Sequence, residues 1–118
     1  IASGIYKVDS KLRKISFQKK YESFDLLEQF LFLPDEISKA SVFLFFSVSF
    51  DEIYEKYGQR AIRFSLLNLG GALQQINLAA TAQGLNYRTI GGFDELQCSK
   101  ILEINGREYL ACAAILGK

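Results

Sequence analysis

AIRFSLLNLGGALQQINLAATAQGL, residues 61–85, is the longest periodic segment of this chain of 118 residues. Its apolar positions recur at spacings of three and four: Phe64, Leu67, Gly71 or Ala72, Ile76, Ala79 and Ala80. This spacing predicts one long amphipathic helix buried in the core, and Gly84 near its end is a typical stop signal. The adjacent Gly70 and Gly71 each cost about 1 kcal/mol relative to alanine inside a helix. We therefore expect another helix or a ligand to approach this glycine pair closely.

Amide side chains interrupt the same segment, which carries no charged residue from Phe64 to Tyr87. That length is sufficient to cross a membrane, but hydrocarbon would leave the amides without hydrogen-bond partners. We therefore predict a buried helix of a soluble protein, with a subunit interface as one location for it. Gln74 and Gln75 then need partners, either across a helix pair or on the polar edge of a cofactor.

Shorter segments with local signals flank this helix on both sides. Upstream, the pattern predicts a β-hairpin around Asp9–Lys11, a helix over Glu22–Phe32, a strand over Ser41–Ser49 and a short helix from Asp51 toward Gly58. Downstream, it predicts a strand over Asn86–Ile90, a helix capped by Asp94 and running through Lys100, and a strand over Tyr109–Leu116. The run Ser41–Ser49 is aromatic and β-branched, so we expect it to be the central strand, covered on both faces. The mixed order predicts one α+β domain over residues 1–118.

Composition excludes several classes of function. Lys plus Arg is 14 and Asp plus Glu is 13, so no strong field favours nucleic acid or an anionic membrane as a partner. The chain has no histidine, which removes Ser-His-Asp and Cys-His nucleophile machinery and the commonest transition-metal ligand. Cys98 and Cys112 lack metal-site spacing, so we expect reduced packing residues, no metal and a cytoplasmic setting. The absence of methionine leads us to expect a fragment or a processed subunit.

Two local clusters are candidates for chemistry. Gly91 and Gly92 follow a predicted strand, where backbone amides can approach a flat or anionic ligand, or where the chain only turns. Lys56 and Tyr57 are able to transfer protons when burial changes their proton affinity. Arg60 and Arg63, three residues apart, fit one helix face that binds a phosphate or an electron-rich ring. The alternative is a set of solvated charges at a helix end.

Taken together, KYGQRAIRF (residues 56–64), LLNLGGALQQ (66–75), Leu78-Ala-Ala80, Gly84-Leu85 and IGGFD (90–94) resemble the SagB-type dehydrogenases of the nitroreductase superfamily. The resemblance extends over nearly the whole chain as the C-terminal half of such a protein. It implies an α+β fold with a mixed sheet on a long helix, built as a homodimer with FMN at the interface. The implied activity is oxidation of azolines to azoles in ribosomal peptides, and the implied partners include a peptide substrate and a cyclodehydratase.

The resemblance also assigns roles by position. Lys56 and Tyr57 match the family's Lys-Tyr catalytic pair, which assists proton removal while hydride goes to flavin N5. Gly91 and Gly92 match the loop that approaches the flavin, and Arg60 and Arg63 match arginines expected near it. Gln75 occupies a position of the family's helix pattern that we assign to cofactor binding. In such an enzyme the flavin supplies the redox chemistry, and the protein orients and protonates.

Departures from the family pattern motivate other readings. Gly70-Gly71 stands where the family has Gly-His, Gln74-Gln75 where it has Gln-Asn, and Thr89 where it has proline. In the superfamily an Arg/Ser-rich N-terminal segment holds the FMN phosphate, so a complementary N-terminal half is expected to complete the site. The alternatives are a catalytically degenerate scaffold or dimerisation module, and a general nitro- or quinone reductase.

Overall fold

The computed structural model describes residues 2–9, 11–21, 31–32 and 38–118. Its strands are β1 (Gly4–Asp9), β2 (Lys14–Lys20), β3 (Val42–Ser49), β4 (Asn86–Ile90) and β5 (Glu108–Gly117). Its helices are α1 (Asp51–Tyr57), α2 (Arg60–Ala82) and α3 (Glu95–Leu102). The predicted helix over Glu22–Phe32 lies, except for its last two residues, outside the described residues. The strands and helices predicted elsewhere are present, and the α+β fold class is confirmed.

The strands form two antiparallel sheets. β1 and β2 make the predicted hairpin, in which the Leu12 amide donates to Asp9 Oδ1 at 2.9 Å and closes the turn. The second sheet has the order β3-β5-β4, and both pairings are antiparallel. The prediction that Ser41–Ser49 is the central strand is therefore wrong, because β3 lies at one edge and β5 lies in the middle. Each described residue of β3 is half-buried or exposed, so the prediction of cover on both faces is also wrong within this chain.

The apolar core lies between this sheet and α3. Its fully or nearly fully buried members are Leu31, Ile90, Phe93, Cys98, Leu110, Ala113 and Ile115. Asp94 caps α3 as predicted, since its carboxylate accepts a hydrogen bond from the Gln97 amide at 3.0 Å, although α3 extends to Leu102 rather than ending at Lys100. The core therefore depends on β5, whose consecutive residues from Cys112 to Ile115 are all buried.

The long helix α2 differs from its prediction in burial. Its buried described residues are Ala61, Ser65 and Ala80, while Leu67 of the predicted apolar face is 66% exposed. Gln74 and Gln75, predicted to be buried, are both exposed. The helix ends at Ala82, where the Gly84 amide donates to Thr81 O and the Leu85 amide donates to Ala80 O. This Schellman pattern uses the positive φ of Gly84, 71°, and confirms the predicted stop signal.

Candidate functional site

The junction between α1 and α2 brings together four of the predicted site residues. Lys56 and Tyr57 are the last two residues of α1, and Arg60 and Arg63 lie in the first turn of α2. Gly58 connects the two helices with φ 57° and ψ −137°, a conformation that residues with a Cβ rarely adopt. A glycine at this position therefore allows α2 to begin directly after the Lys-Tyr pair. The resemblance motif contains Gly58, but we had not predicted this role for it.

Lys56, Tyr57 and Phe64 make consecutive contacts at this junction. The Lys56 Nζ lies 5.1 Å from the centroid of the Tyr57 ring, within the range of a cation–π interaction. The Tyr57 and Phe64 rings are 5.0 Å apart between centroids at an interplanar angle of 81°, an edge-to-face pair. Tyr57 remains 43% exposed. Its ring is therefore held by protein contacts while part of its surface is open to another molecule.

The two arginines add positive charge beside this pair. Both side chains are exposed, and neither forms an ion pair with a described residue. A spacing of three residues places them on neighbouring positions of the helix surface. Their guanidinium groups are consequently available to bind an anion or to stack on an electron-rich ring.

Gly91 and Gly92 form a separate part of the candidate site. Both are exposed, and an added Cβ at either position would meet no atom of the described residues within 4 Å beyond its chain neighbours. Neither residue has a positive φ. Neither packing nor backbone conformation within this chain therefore requires glycine at these two positions.

Gly91 and Gly92, here called the glycine loop, and the start of α1 both follow strands that end on the same side of the sheet. Because β3 and β4 are both antiparallel to β5, they run in the same direction and their carboxyl ends share an edge. Ser49 pairs with Glu108, whereas Ile90 pairs with Ala113. These two partners are about 17 Å apart along β5, at about 3.3 Å per residue. The glycine loop and the helix junction thus lie at the same end of the sheet but are offset along the direction of β5.

Gln75 lies apart from the Lys-Tyr pair. It is an exposed residue in the middle of α2, about 22 Å along the helix axis from Arg60 at 1.5 Å per residue. Among the described residues, no hydrogen bond, ion pair or ring contact was found that joins Gln75, the glycine loop and the helix junction. Lys56, Tyr57, Arg60 and Arg63 therefore lie together because they are close in sequence.

The two thiols lie in the interior and not in the candidate site. Cys98 is fully buried and Cys112 is nearly so, and both are free, as predicted for packing residues. Burial raises the pKa of the Cys98 thiol to about 11, and the Asp94 carboxylate adds to the rise. Burial also raises the pKa of Cys112, whose Sγ donates to the carbonyl oxygens of Ile90 and Ala113 at 3.4 Å. Neither thiol is therefore activated as a nucleophile.

Comparisons with known proteins identify one family and two solved structures with a similar fold. The sequence pattern of the nitroreductase family matches residues 3–118. A chain of the E. coli microcin synthetase complex McbBCD, solved with truncated pro-MccB17 bound, is similar in structure with a TM-score of 0.84 and 20% identity. A proposed nitroreductase from Anabaena variabilis is similar with a TM-score of 0.85 and 26% identity. No curated protein sequence matches the chain.

The two solved structures are longer than this chain. The match covers 96% of this chain and 43% of the microcin synthetase chain, and 100% of this chain and 24% of the Anabaena protein. The chain therefore spans less than half the length of either. Of the helices that the structure describes, none has the length and apolarity needed to span a membrane.

Proposed function

Because the chain belongs to the nitroreductase family, we propose that it is part of an FMN-dependent oxidoreductase that converts azolines to azoles in ribosomally made peptides. One observation carries the proposal beyond the family: a lysine, an exposed tyrosine and two arginines that form no ion pair with a described residue lie where α1 joins α2. A proton-transfer pair beside cationic groups suits dehydrogenation of a ring held against a flavin. The peptide-bound synthetase among the structural neighbours makes a peptide the first substrate class to test.

The residues present fit a flavin. Gly91 and Gly92 have free space where a side chain would stand, and this space admits close approach of a flat ring to backbone amides. Arg60 and Arg63 supply unpaired guanidinium groups, which suit an anionic or electron-rich part of the cofactor. Gln75 is exposed and offers an amide that both donates and accepts hydrogen bonds. We propose these five residues as the cofactor-binding set.

The proposed reaction removes one hydride and one proton from the azoline ring and forms one carbon–carbon double bond. Bound FMN would supply the two-electron acceptor for the hydride. Lys56 and Tyr57 would assist removal of the ring proton, which the partly exposed Tyr57 side chain would pass on to solvent. The contact of Lys56 Nζ with the Tyr57 ring at 5.1 Å keeps the two groups in one place. Electrons and protons then balance for a single turnover.

Association with a second copy or with a complementary N-terminal half belongs to the same proposal. The glycine loop and the helix junction are offset within this chain, and Gln75 is about 22 Å along α2 from Arg60. A cofactor between two copies would be able to contact the junction of one and the loop of the other. The exposed Gly70-Gly71 pair, with no atom within 4 Å of an added Cβ, leaves room for a close helix crossing.

Substitution of the Lys-Tyr pair tests the catalytic assignment. In the flavin-loaded protein, completed by its N-terminal half where required, we expect Lys56→Ala and Tyr57→Phe to abolish azole formation while the flavin content stays unchanged. Lys100→Ala is a matched control because Lys100 is also a basic residue in the last turn of a short helix. Tyr109→Phe is a second control, since Tyr109 is 43% exposed like Tyr57. Full turnover in both pair variants would contradict the assignment.

A degenerate scaffold is the second candidate. It is favoured by the exposure of the proposed cofactor residues, which no described part of this chain brings together. Visible absorbance of the purified chain, alone and after mixing with FMN, separates the two candidates. About one flavin per chain supports the oxidoreductase. The scaffold is supported if the chain forms a stable, colourless dimer that does not bind FMN, even after an N-terminal half is added.

A further inference from the structure

We propose that Phe64 is a positioning residue that fixes the orientation of the Tyr57 ring. The two rings form an edge-to-face pair with centroids 5.0 Å apart and an interplanar angle of 81°. Such pairs are directional because the positive edge of one ring faces the negative face of the other. Phe64 carries no group that can exchange a proton, so its influence on any reaction would pass through Tyr57.

The backbone at the junction explains why an external contact is needed. Tyr57 is the last residue of α1 and is followed by Gly58, whose backbone conformation is one that other residues rarely adopt. A helical side chain lies over the turn that precedes it, so a neighbour on the other side of the Tyr57 ring comes from another element. Tyr57 is also 43% exposed. Phe64, on the second turn of α2, thus supplies a fixed neighbour from a different helix.

Lys56 also contacts the Tyr57 ring. Its Nζ lies 5.1 Å from the centroid of the Tyr57 ring, so the ring contacts a cation as well as an aromatic neighbour. Loss of Phe64 would leave the tyrosine ring with only its own helix to orient it. The Tyr57 hydroxyl would then sample several directions. The catalytic consequence rests on the proposed function, but the ring contact does not.

A first experiment measures the contact without activity. In the full chain carrying ring-labelled tyrosine, the Tyr57 NMR signal is identified as the signal that Tyr57→Phe removes. We expect Phe64→Leu to shift this signal toward its random-coil position and to average its ring environment, because the ring current of Phe64 is lost. Phe64→Tyr keeps a ring and should restore the wild-type shift.

The hairpin provides a matched control. Tyr6 and Phe17 form another edge-to-face pair, with centroids 5.3 Å apart at 71°. Phe17→Leu should shift the signal of Tyr6 and leave that of Tyr57 unchanged. An unchanged Tyr57 signal in Phe64→Leu would overturn the proposal. So would an equal shift in Phe17→Leu, since that would reflect a general loosening of the fold.

A second experiment measures function in the flavin-loaded protein. We expect Phe64→Leu to lower kcat by about 2- to 10-fold, the rate equivalent of one aromatic pair, with KM and flavin content unchanged. Phe64→Tyr, which keeps the aromatic ring, should restore the wild-type kcat. A rise in KM or a loss of flavin of the same size in Phe64→Leu would show that Phe64 acts on binding rather than through Tyr57, and would refute positioning. If wild type has no turnover, the proposed function fails and the NMR arm alone decides the positioning role.

Discussion

Alanine at Gly70 and Gly71 should have opposite effects on the isolated chain and on its association. Both glycines are exposed in the middle of the 23-residue helix α2, and an added Cβ would meet no atom within 4 Å. Each alanine should therefore stabilise the chain by about 1 kcal/mol, through helix propensity alone. The double variant should gain about 2 kcal/mol, or about 8 °C in Tm at this chain size.

The same methyl groups should weaken a close helix crossing. If a second copy packs on this face, two added methyl groups overfill the contact and cost about 1–3 kcal/mol, which is about 5- to 150-fold in Kd. Urea unfolding at low protein concentration measures the first effect, and sedimentation equilibrium measures the second. Gly84→Ala is the control, because its φ of 71° makes the same substitution destabilising. Alanine variants that dimerise as tightly as wild type, or a wild-type chain that stays monomeric, would refute the crossing.

Three further predictions concern the core and its caps. Asp94→Ala should lower the free energy of unfolding by about 1 kcal/mol, since it removes the cap on the Gln97 amide; an unchanged urea midpoint would contradict this. Leu110→Ala should cost about 2–5 kcal/mol because Leu110 is 2% exposed in the core, and a loss below 1 kcal/mol would place it outside the core. The pKa of Cys98 is raised from 9.0 to about 11. The contribution of this thiol to the free energy of unfolding is therefore complete below pH 9 and is lost as the pH rises through 11. Stability should fall by about 3 kcal/mol as Cys98 ionises, and Cys98→Ala should remove this part of the fall and leave the part due to Cys112, as measured by urea titrations at each pH.

Elements with a local signal were predicted correctly from sequence. The Asn86–Ile90 strand, the Asp94 cap and the Gly84 stop signal depend on residues within one or two turns of each other. Their physical causes, alternation, side-chain capping and positive φ, are therefore readable in a short window. The Lys56–Arg63 cluster was predictable for the same reason, because its members are neighbours in sequence.

Long-range arrangement was not readable in this way. The aromatic run of β3 indicates burial, but a composition signal does not say which element provides the cover. The middle position belongs to β5, whose small residues Ala113 and Ala114 are almost fully buried. Likewise, the contact between Tyr57 and Phe64 depends on the turn at Gly58, which side-chain periodicity does not encode. The central position of β5 thus depends on the order of strand pairing, and the ring contact depends on a reversal of the backbone.

Burial was predicted for the long helix and for β3, and in both the side chains are more exposed than predicted. Leu67 and Leu78 on α2 are 66% and 56% exposed, and Val8 and Ile15 on the hairpin are each 65% exposed. Contiguous exposed apolar surface marks an interaction site, and Leu67 and Leu78, about three helical turns apart, lie on one face of α2. The chain spans only 43% and 24% of two proteins with the same fold. We propose the face of α2 that carries Leu67 and Leu78 as the surface on which a second copy packs, which agrees with the room that the Gly70-Gly71 pair leaves for a close helix crossing.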